Sequence, residues 1–411
     1  MINSTVITEY IKTKYLGGIN NQLWKMNYLL NRIKASNMGV NPSNKTVEVR
    51  LRMGNNGGVA QSAVIPTSGN SKHITSSSTL KKGYAFLEID GDAMTYAPDG
   101  DEDVAFMGAV SGETASLLEA MNRNFETNLH LDGSGNRGVI ASVVNADPTY
   151  TVTLTTDNMA WFEIGQIVDF IDPATGVVQD RGMVTGVDTA NTAITFVTDG
   201  TVTTDDPTAA DIICNQREGV LAASVTAGTN PCMMGMQGII GTGTLQSVAG
   251  ATYELWRGNV VNAAGAITKD IMDNAMIYGA RSGGYDFIET TEAILLDLSA
   301  LLTIQRQYVN TETFEGGWKG ITWGGVEVVS NMFMPAGQLN MVNSKSLELR
   351  QMKHSPNGAF SALTWESGLD GNMFAKVLGT GSVEKYQGIM RWDSELVTND
   401  RKANTRIYGI V

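Results

Sequence analysis

Residues Gly133–Gly138, GSGNRG, carry the glycine spacing of a dinucleotide-binding turn, G-x-G-x-x-G. In that chemistry a strand enters the glycines and a helix leaves them, so that the free N–H groups of the helix N-terminus face a pyrophosphate. Here the order is reversed. Ser111 can cap a helix, Glu113 falls in its first turn, and Ala115, Leu118, Met121, Phe125 and Leu129 recur at helical spacing up to Gly133. Upstream, EDVAFMGAV can extend the same helix, and downstream GVIASV reads as a strand. The glycines are therefore read as the end of a long helix, and nucleotide binding is set aside.

Other reactive side chains are dispersed. His73 lies in a polar loop, His130 ends the helix and His354 sits in MKHSPNG; none has the spacing that puts two imidazoles on one helix face, and each is read as a surface residue. Cys214 and Cys232 are too few for a disulfide framework and lack a nucleophile's setting, which points to a reducing compartment. The acids Asp90, Asp92, Asp99, Asp101, Glu102 and Asp103 lack the ligand ladder of a calcium loop and read as a solvated turn. Trp318 and Trp323, in GGWKGITWGG, are read as core or interface aromatics in preference to a sugar platform. No catalytic residue, cofactor or metal is expected from these patterns.

The elements that position these residues follow from composition. In 411 residues, 42% are apolar and 17% charged, with 45 glycines against nine prolines, so two or three compact domains of mixed α+β type are expected. The N-terminus lacks a signal-like apolar run, and AILLDLSALL, interrupted by Asp297, is far shorter than a bilayer requires; no membrane partner is expected. A net charge of −13 argues against a general nucleic-acid binder. Eleven acids and the single base Arg181 fall between Val139 and Gln216, whereas Met1–Arg52 holds eight bases and two acids. The chain is electrically two-faced.

Leu23, Met26, Leu30 and Ile33 mark a short amphipathic helix that packs either on its own chain or on a neighbouring one. TVEVRLRM alternates, with Thr46, Glu48, Arg50 and Arg52 on its polar face, and YAFLEID answers it across about thirty Gly-, Ser- and Asn-rich residues. That spacing predicts an extended two-stranded arm needing outside support. From Val139 to Gln216 short alternating segments predict a small β-barrel or sandwich, entered at GVIASV and left at REGVLAA, as an inserted domain. Beyond it come a helix in TKDIMDNAMIYGARSGG, with Ile271, Ala275 and Tyr278 on one face, the strand YDFIETT, a helix in TTEAILLDLSALLTIQRQ, and turn-divided strands.

This order, with LLNRIKAS, the long glycine-rich loop, LHLDGSGNRGVIA, YDFIETTEAILLDL and GGWKGITWGGVEVVSNMFMPAGQLNMVNSKSLEL, resembles the major capsid proteins of tailed bacteriophages, which have the Hong-Kong-97-type fold. The resemblance implies an N-arm at 1–45, an E-loop at 46–92 and a P-domain segment at 93–138 whose spine helix runs from Glu102 to Asp132. It further implies an inserted acidic β-domain at 139–216, facing solvent, and a connection at 217–267. The A-domain falls at 268–350 and the C-terminal P-domain strands at 351–411. It also implies a homo-oligomer of pentamers and hexamers forming an icosahedral head around phage double-stranded DNA, assembled in the host cytoplasm. The basic arm would lie nearer that non-specifically packaged DNA, with scaffolding and portal proteins as partners; the chain would be either scaffolded separately or a processed product. Candidate inter-subunit contacts are Leu23, Leu30, Arg50, Arg52, Lys72, Lys81 and Lys82, the loop lysines being read as ordinary solvated groups in preference to cross-linking ones. Rival readings are an encapsulin-like nanocompartment, a glycan-binding adhesin and, behind both, a hydrolase.

Overall fold

The computed structural model describes residues 28–52, 73–90, 102–155, 158–203, 206–216, 232–280, 282–304, 312–313, 319–352, 363–366, 374–378 and 384–411. The fold is mixed α+β, with many strands and few helices. It divides into two compact units, one of Met1–Thr46, Thr79–Glu126 and Leu349–Glu395, the other of Val47–Ser78, Thr127–Glu348 and Leu396–Val411.

The first unit is built on the 15-residue strand Glu384–Thr398. A six-stranded sheet runs Lys34–Ser36, Leu347–Gln351, Glu384–Thr398, Leu363–Glu366, and the long strand also pairs with Phe374–Leu378 and Lys81–Asp90. In the antiparallel ladder with Lys81–Asp90, Gly83 stands opposite Trp392 and Ala85 opposite Met390. Strand alternation turns Ala85, Met390 and Trp392 inward and leaves Tyr84 and Phe86 outside. The helix Glu102–His130, 29 residues and about 44 Å long at 1.5 Å per residue, buries Leu117, Met121 and Phe125 at spacings of four. Phe125 meets Trp392 with ring centroids 6.0 Å apart. Ala115, expected on that buried stripe, is exposed, and Leu117 takes its place.

The two-stranded pairing differs from the sequence expectation. TVEVRLR pairs with His73–Thr79, HITSSST, while YAFLEID belongs to the ladder with Glu384–Thr398. The partner strand lacks an apolar alternation because its inward residue is polar: Ser76 is fully buried and its hydroxyl donates to Val49 O at 3.0 Å. Hydrogen bonding there does what apolar alternation does elsewhere.

In the second unit the strands Asn136–Ala146, Thr149–Leu154, Ile167–Ile171, Val178–Asp188, Ala193–Thr203 and Ile212–Asn215 close a barrel. Closure comes from Ile212–Asn215, which pairs antiparallel with both Asn136–Ala146 and Ile167–Ile171, leaving no free edge. Inward-pointing Val152, Leu154, Phe170, Val184, Ile194, Phe196 and Ile213 fill it. Phe170 and Phe196 stack with centroids 4.2 Å apart.

The same unit contains a seven-stranded mixed sheet in the order Asn259–Gly265, Thr405–Ile410, Leu339–Val342, Phe287–Thr290, Val326–Ser330, Lys319–Trp323, Glu312–Thr313. Its central strand Phe287–Thr290 is buried at every residue, as expected of a strand covered on both faces. The helices Lys269–Ala280 and Glu292–Ile304 contribute Met272, Ala275, Ile294 and Leu298 to its core. Tyr278, expected on the buried face, is exposed; the buried face is Met272, Ala275 and Gly279. Tyr285 explains the rotation: its ring lies where a Cβ on Gly279 would be, and its hydroxyl donates to Ala275 O at 2.9 Å.

Candidate assembly surfaces

The glycines of GSGNRG follow the helix that ends at His130 and precede the strand that begins at Asn136. Gly133 and Gly135 both adopt positive φ, 83° and 75°, the conformation that lets the chain reverse after a helix. Their neighbouring amides are already used. Ser134 N donates to Asp132 Oδ1 at 2.9 Å, Asn136 N to Ser134 Oγ at 3.2 Å and Gly138 N to Asn136 Oδ1 at 2.9 Å. A carboxylate occupies the place an anionic ligand would need.

Among the described residues no group of three or more His, Cys, Asp or Glu side chains could hold a metal ion. Cys214 is buried and Cys232 half-buried, both as free thiols. His73 is exposed, and His354 lies outside the described residues. His130, expected at the surface, is fully buried: its Nε2 lies 3.0 Å from Oε2 of the equally buried Glu289. The correction has a physical reason, since a buried carboxylate needs polar partners and Glu289 comes from the central strand 159 positions further on. Trp323 is buried, with its indole N–H donating to Asp273 Oδ1 at 3.3 Å; Trp318 lies outside the described residues.

The acidic barrel does not turn all its carboxylates to solvent. Asp169, Asp180 and Asp211 are buried. Arg181, the only base between Val139 and Gln216, grips Asp169 in a fork, Nε to Oδ1 at 2.6 Å and Nη2 to Oδ2 at 3.2 Å. Asp180 accepts from Arg181 N and from Thr198 Oγ1, and Asp211 accepts from Thr208 N and Oγ1. Asp172, half-buried, and Asp188, exposed, close local turns, and their hydrogen bonds, led by Ala174 N for Asp172 and the Asn191 side chain for Asp188, hold both carboxyls below the usual range.

The candidate contact residues occupy different settings. Leu30 is packed inside its own unit, 1% exposed, beside the buried Tyr28 and Leu29. Arg50 is exposed on the two-stranded sheet, Lys82 is exposed and Lys81 half-buried on the strand Lys81–Asp90. Leu23, Lys72 and the side chain of Arg52 fall outside the described residues. On the face of Lys82 the structure adds two residues that the sequence reading passed over, Tyr84 and Phe86, 41% and 56% exposed. Their signal was the second face of YAFLEID, since Tyr84 and Phe86 alternate with the buried Ala85.

No family model matches the chain, and no curated protein matches it by sequence. Solved structures do. The capsid asymmetric unit of cyanophage A-1(L) is similar at 12% identity over 92% of this chain and 93% of that one, with a TM-score of 0.49. A structure from Mycobacterium phage Patience is similar at 10% identity over 99% of this chain and 88% of that one, with a TM-score of 0.42. The encapsulin of Synechococcus elongatus PCC 7942 is similar at 10% identity over 93% of this chain and 87% of that one, with a TM-score of 0.44. The structures similar over most of this chain are mainly those of phage capsids.

Proposed function

We propose that this chain is a shell subunit, a major capsid protein of the Hong-Kong-97 type that assembles into an icosahedral head around phage double-stranded DNA. The observation that carries the reading is the order of parts. A two-stranded sheet, a ten-residue strand, a 29-residue helix, a closed barrel and a helix-flanked mixed sheet follow one another, and C-terminal strands return to the sheets. Residues 46–92 then serve as the E-loop, 93–138 as the spine segment, 139–216 as an inserted domain and 268–350 as the A-domain.

The two-stranded sheet supplies the physical argument. Two strands alone are marginal in water. Among the described residues this pair buries Val47, Leu51 and Ser76 on one face and is tied where Ser77 N donates to Gln246 O at 3.0 Å and Ser77 and Ser247 hydroxyls meet at 3.2 Å. A neighbouring subunit lying against its exposed face, which carries Glu48 and Arg50, adds to the support that its own fold gives the buried face. Many modest interfaces, each repeated around a closed shell, then give an assembly more stable than any one contact. The role is structural, with sister copies, scaffolding and portal proteins and packaged DNA as partners, in a virion assembled in the host cytoplasm.

Negative-stain electron microscopy of the purified chain tests this directly, and closed shells are expected. A second sample lacking residues 54–72, between the strands of the pair, is expected to stay folded and fail to close. A monomer at every concentration would overturn the reading. Shells that hold protein cargo and never nucleic acid would replace it with the nanocompartment.

A further inference from the structure

Among the described residues, three polar contacts from one barrel turn converge on a single segment of the same unit. Asn158 Nδ2 donates to Met332 O and to Met334 O, the latter at 3.1 Å, while Trp161 Nε1 donates to Phe333 O at 2.9 Å. Both donors stand on or beside the single turn Met159–Trp161, which Asn158 itself caps by accepting from Ala160 N at 3.0 Å. Three consecutive carbonyls thus receive all three bonds.

From the other side the same segment is shaped by the sheet. Asn331 Nδ2 donates to Glu289 Oε1 at 2.7 Å, and Asn331 Oδ1 accepts from Phe333 N at 2.9 Å. Asn331 N donates to Thr290 O at 2.8 Å. The second oxygen of Glu289 lies against His130, at the end of the long helix. A continuous polar chain therefore joins helix end, central strand, segment and barrel.

Two features set this contact apart from ordinary core packing. The barrel is closed and filled mainly by its own side chains, with Leu131 and Phe333 packed against that core, so its strands need nothing from the sheet to complete their pairing. The segment itself is accessible: the Met332 side chain is 66% exposed, although Phe333 packs against the barrel core. A contact confined to one short segment, with three hydrogen bonds and the packing of Phe333, can open at a fraction of the cost of global unfolding.

We propose that Asn331–Met334 is a releasable clasp that seats the barrel on the sheet, held closed from the barrel by Asn158 and Trp161 and from the sheet by Glu289 through Asn331. Opening it frees the barrel as an intact body. The clasp lies within one chain, so this does not depend on whether the chain builds a shell, and it is tested on unassembled full-length protein.

The test is hydrogen–deuterium exchange with Asn158→Asp and Glu289→Gln variants. The aspartate keeps the oxygen that caps Met159–Trp161 and loses both donors to the clasp. Exchange at Phe333 and Met334 is expected to quicken about tenfold, the loss of one or two hydrogen bonds, while the strands of Val152, Phe170 and Ile194 remain as protected as in the parent. Glu289→Gln acts from the opposite end; it keeps one oxygen to accept from Asn331 and replaces the other, so it is expected to loosen the same amides less than Asn158→Asp does, without touching the barrel. If Asn158→Asp exposes the barrel strands together with Phe333, the two are one cooperative body and the proposal fails. Unchanged exchange at Phe333 in Asn158→Asp defeats it equally, and that variant alone decides should Glu289→Gln not fold.

Discussion

Gly83 faces Trp392 across the antiparallel ladder between Lys81–Asp90 and Glu384–Thr398, and a Cβ on Gly83 would sit 2.0 Å from the indole ring. The absent side chain makes room for the indole, which packs on to meet Phe125 of the long helix. Gly83→Val forces the ring out of this slot. Overpacking of this kind costs about 1–3 kcal/mol, and the expected result is a lower urea midpoint for the variant with unchanged secondary structure. A Gly83→Val chain as stable as the parent would show that the indole has another place to go.

Arg401 is buried and bonds only to carbonyl oxygens: Nε to Ile239 at 2.7 Å, Nη1 to Gly243 at 2.7 Å and Trp256 at 3.0 Å, and Nη2 to Gly238 at 3.1 Å. Burial pushes its pKa down to about 10. The sign follows: above about 10 the folded chain gives up this proton while the unfolded chain, at arginine's ordinary higher value, still holds it, so this residue's contribution to stability rises with pH there and is flat below. At neutral pH the cation carries its full desolvation penalty, offset by the four bonds. Arg401→Lys keeps the charge without the planar fork, leaving carbonyls unpaired at a cost of about 1–3 kcal/mol. Urea denaturation at pH 7 checks this, and an unshifted midpoint would contradict it.

Much of this architecture could be read from the residues, and the failures share one cause. The helix Glu102–His130 announces itself through Met121, Phe125 and Leu129, and the barrel strands through alternating Val, Ile and Thr, because burial of apolar side chains imposes a local period. Polar burial imposes none. Ser76 is buried by a hydroxyl bond to Val49, His130 by Glu289 and Asp169 by Arg181, and each pairing depends on a residue that the chain brings close only after folding. Tyr278 was misplaced for a related reason. Tyr285, outside the helix, covers Gly279 and rotates the buried face toward it.

The fork between Arg181 and Asp169 gives a prediction of its own. Both side chains are withdrawn from water, so deleting one takes from the other its forked charge partner. Arg181→Met is expected to weaken the barrel by about 3–5 kcal/mol. The paired change Asp169→Leu with Arg181→Met should recover a large part of that loss, since an apolar pair replaces an ion pair at little net cost. Thermal melts of the three variants decide it; a double variant weaker than the single one would mean that the charges are required for more than each other.

Tyr150 Oη donates to Asp206 Oδ1 at 2.7 Å, and Asn145 Nδ2 donates to the other carboxylate oxygen at 2.8 Å. That hydrogen bond first, and burial second, push the phenol pKa up from 10.0 to about 12. Because the folded value is raised, the contribution to stability is complete below pH 10 and is lost as pH rises toward about 12, where the folded chain must also surrender the proton. Tyr150→Phe removes this dependence. At pH 7 the variant is expected to lose about 1 kcal/mol, the net worth of one hydrogen bond whose acceptor can return to water. Between pH 10 and 12 its stability should fall less steeply than the parent's, and an ultraviolet phenolate titration should lack one late-ionising tyrosine. Identical slopes for the two chains across that window would show that Asp206 does not hold the Tyr150 proton.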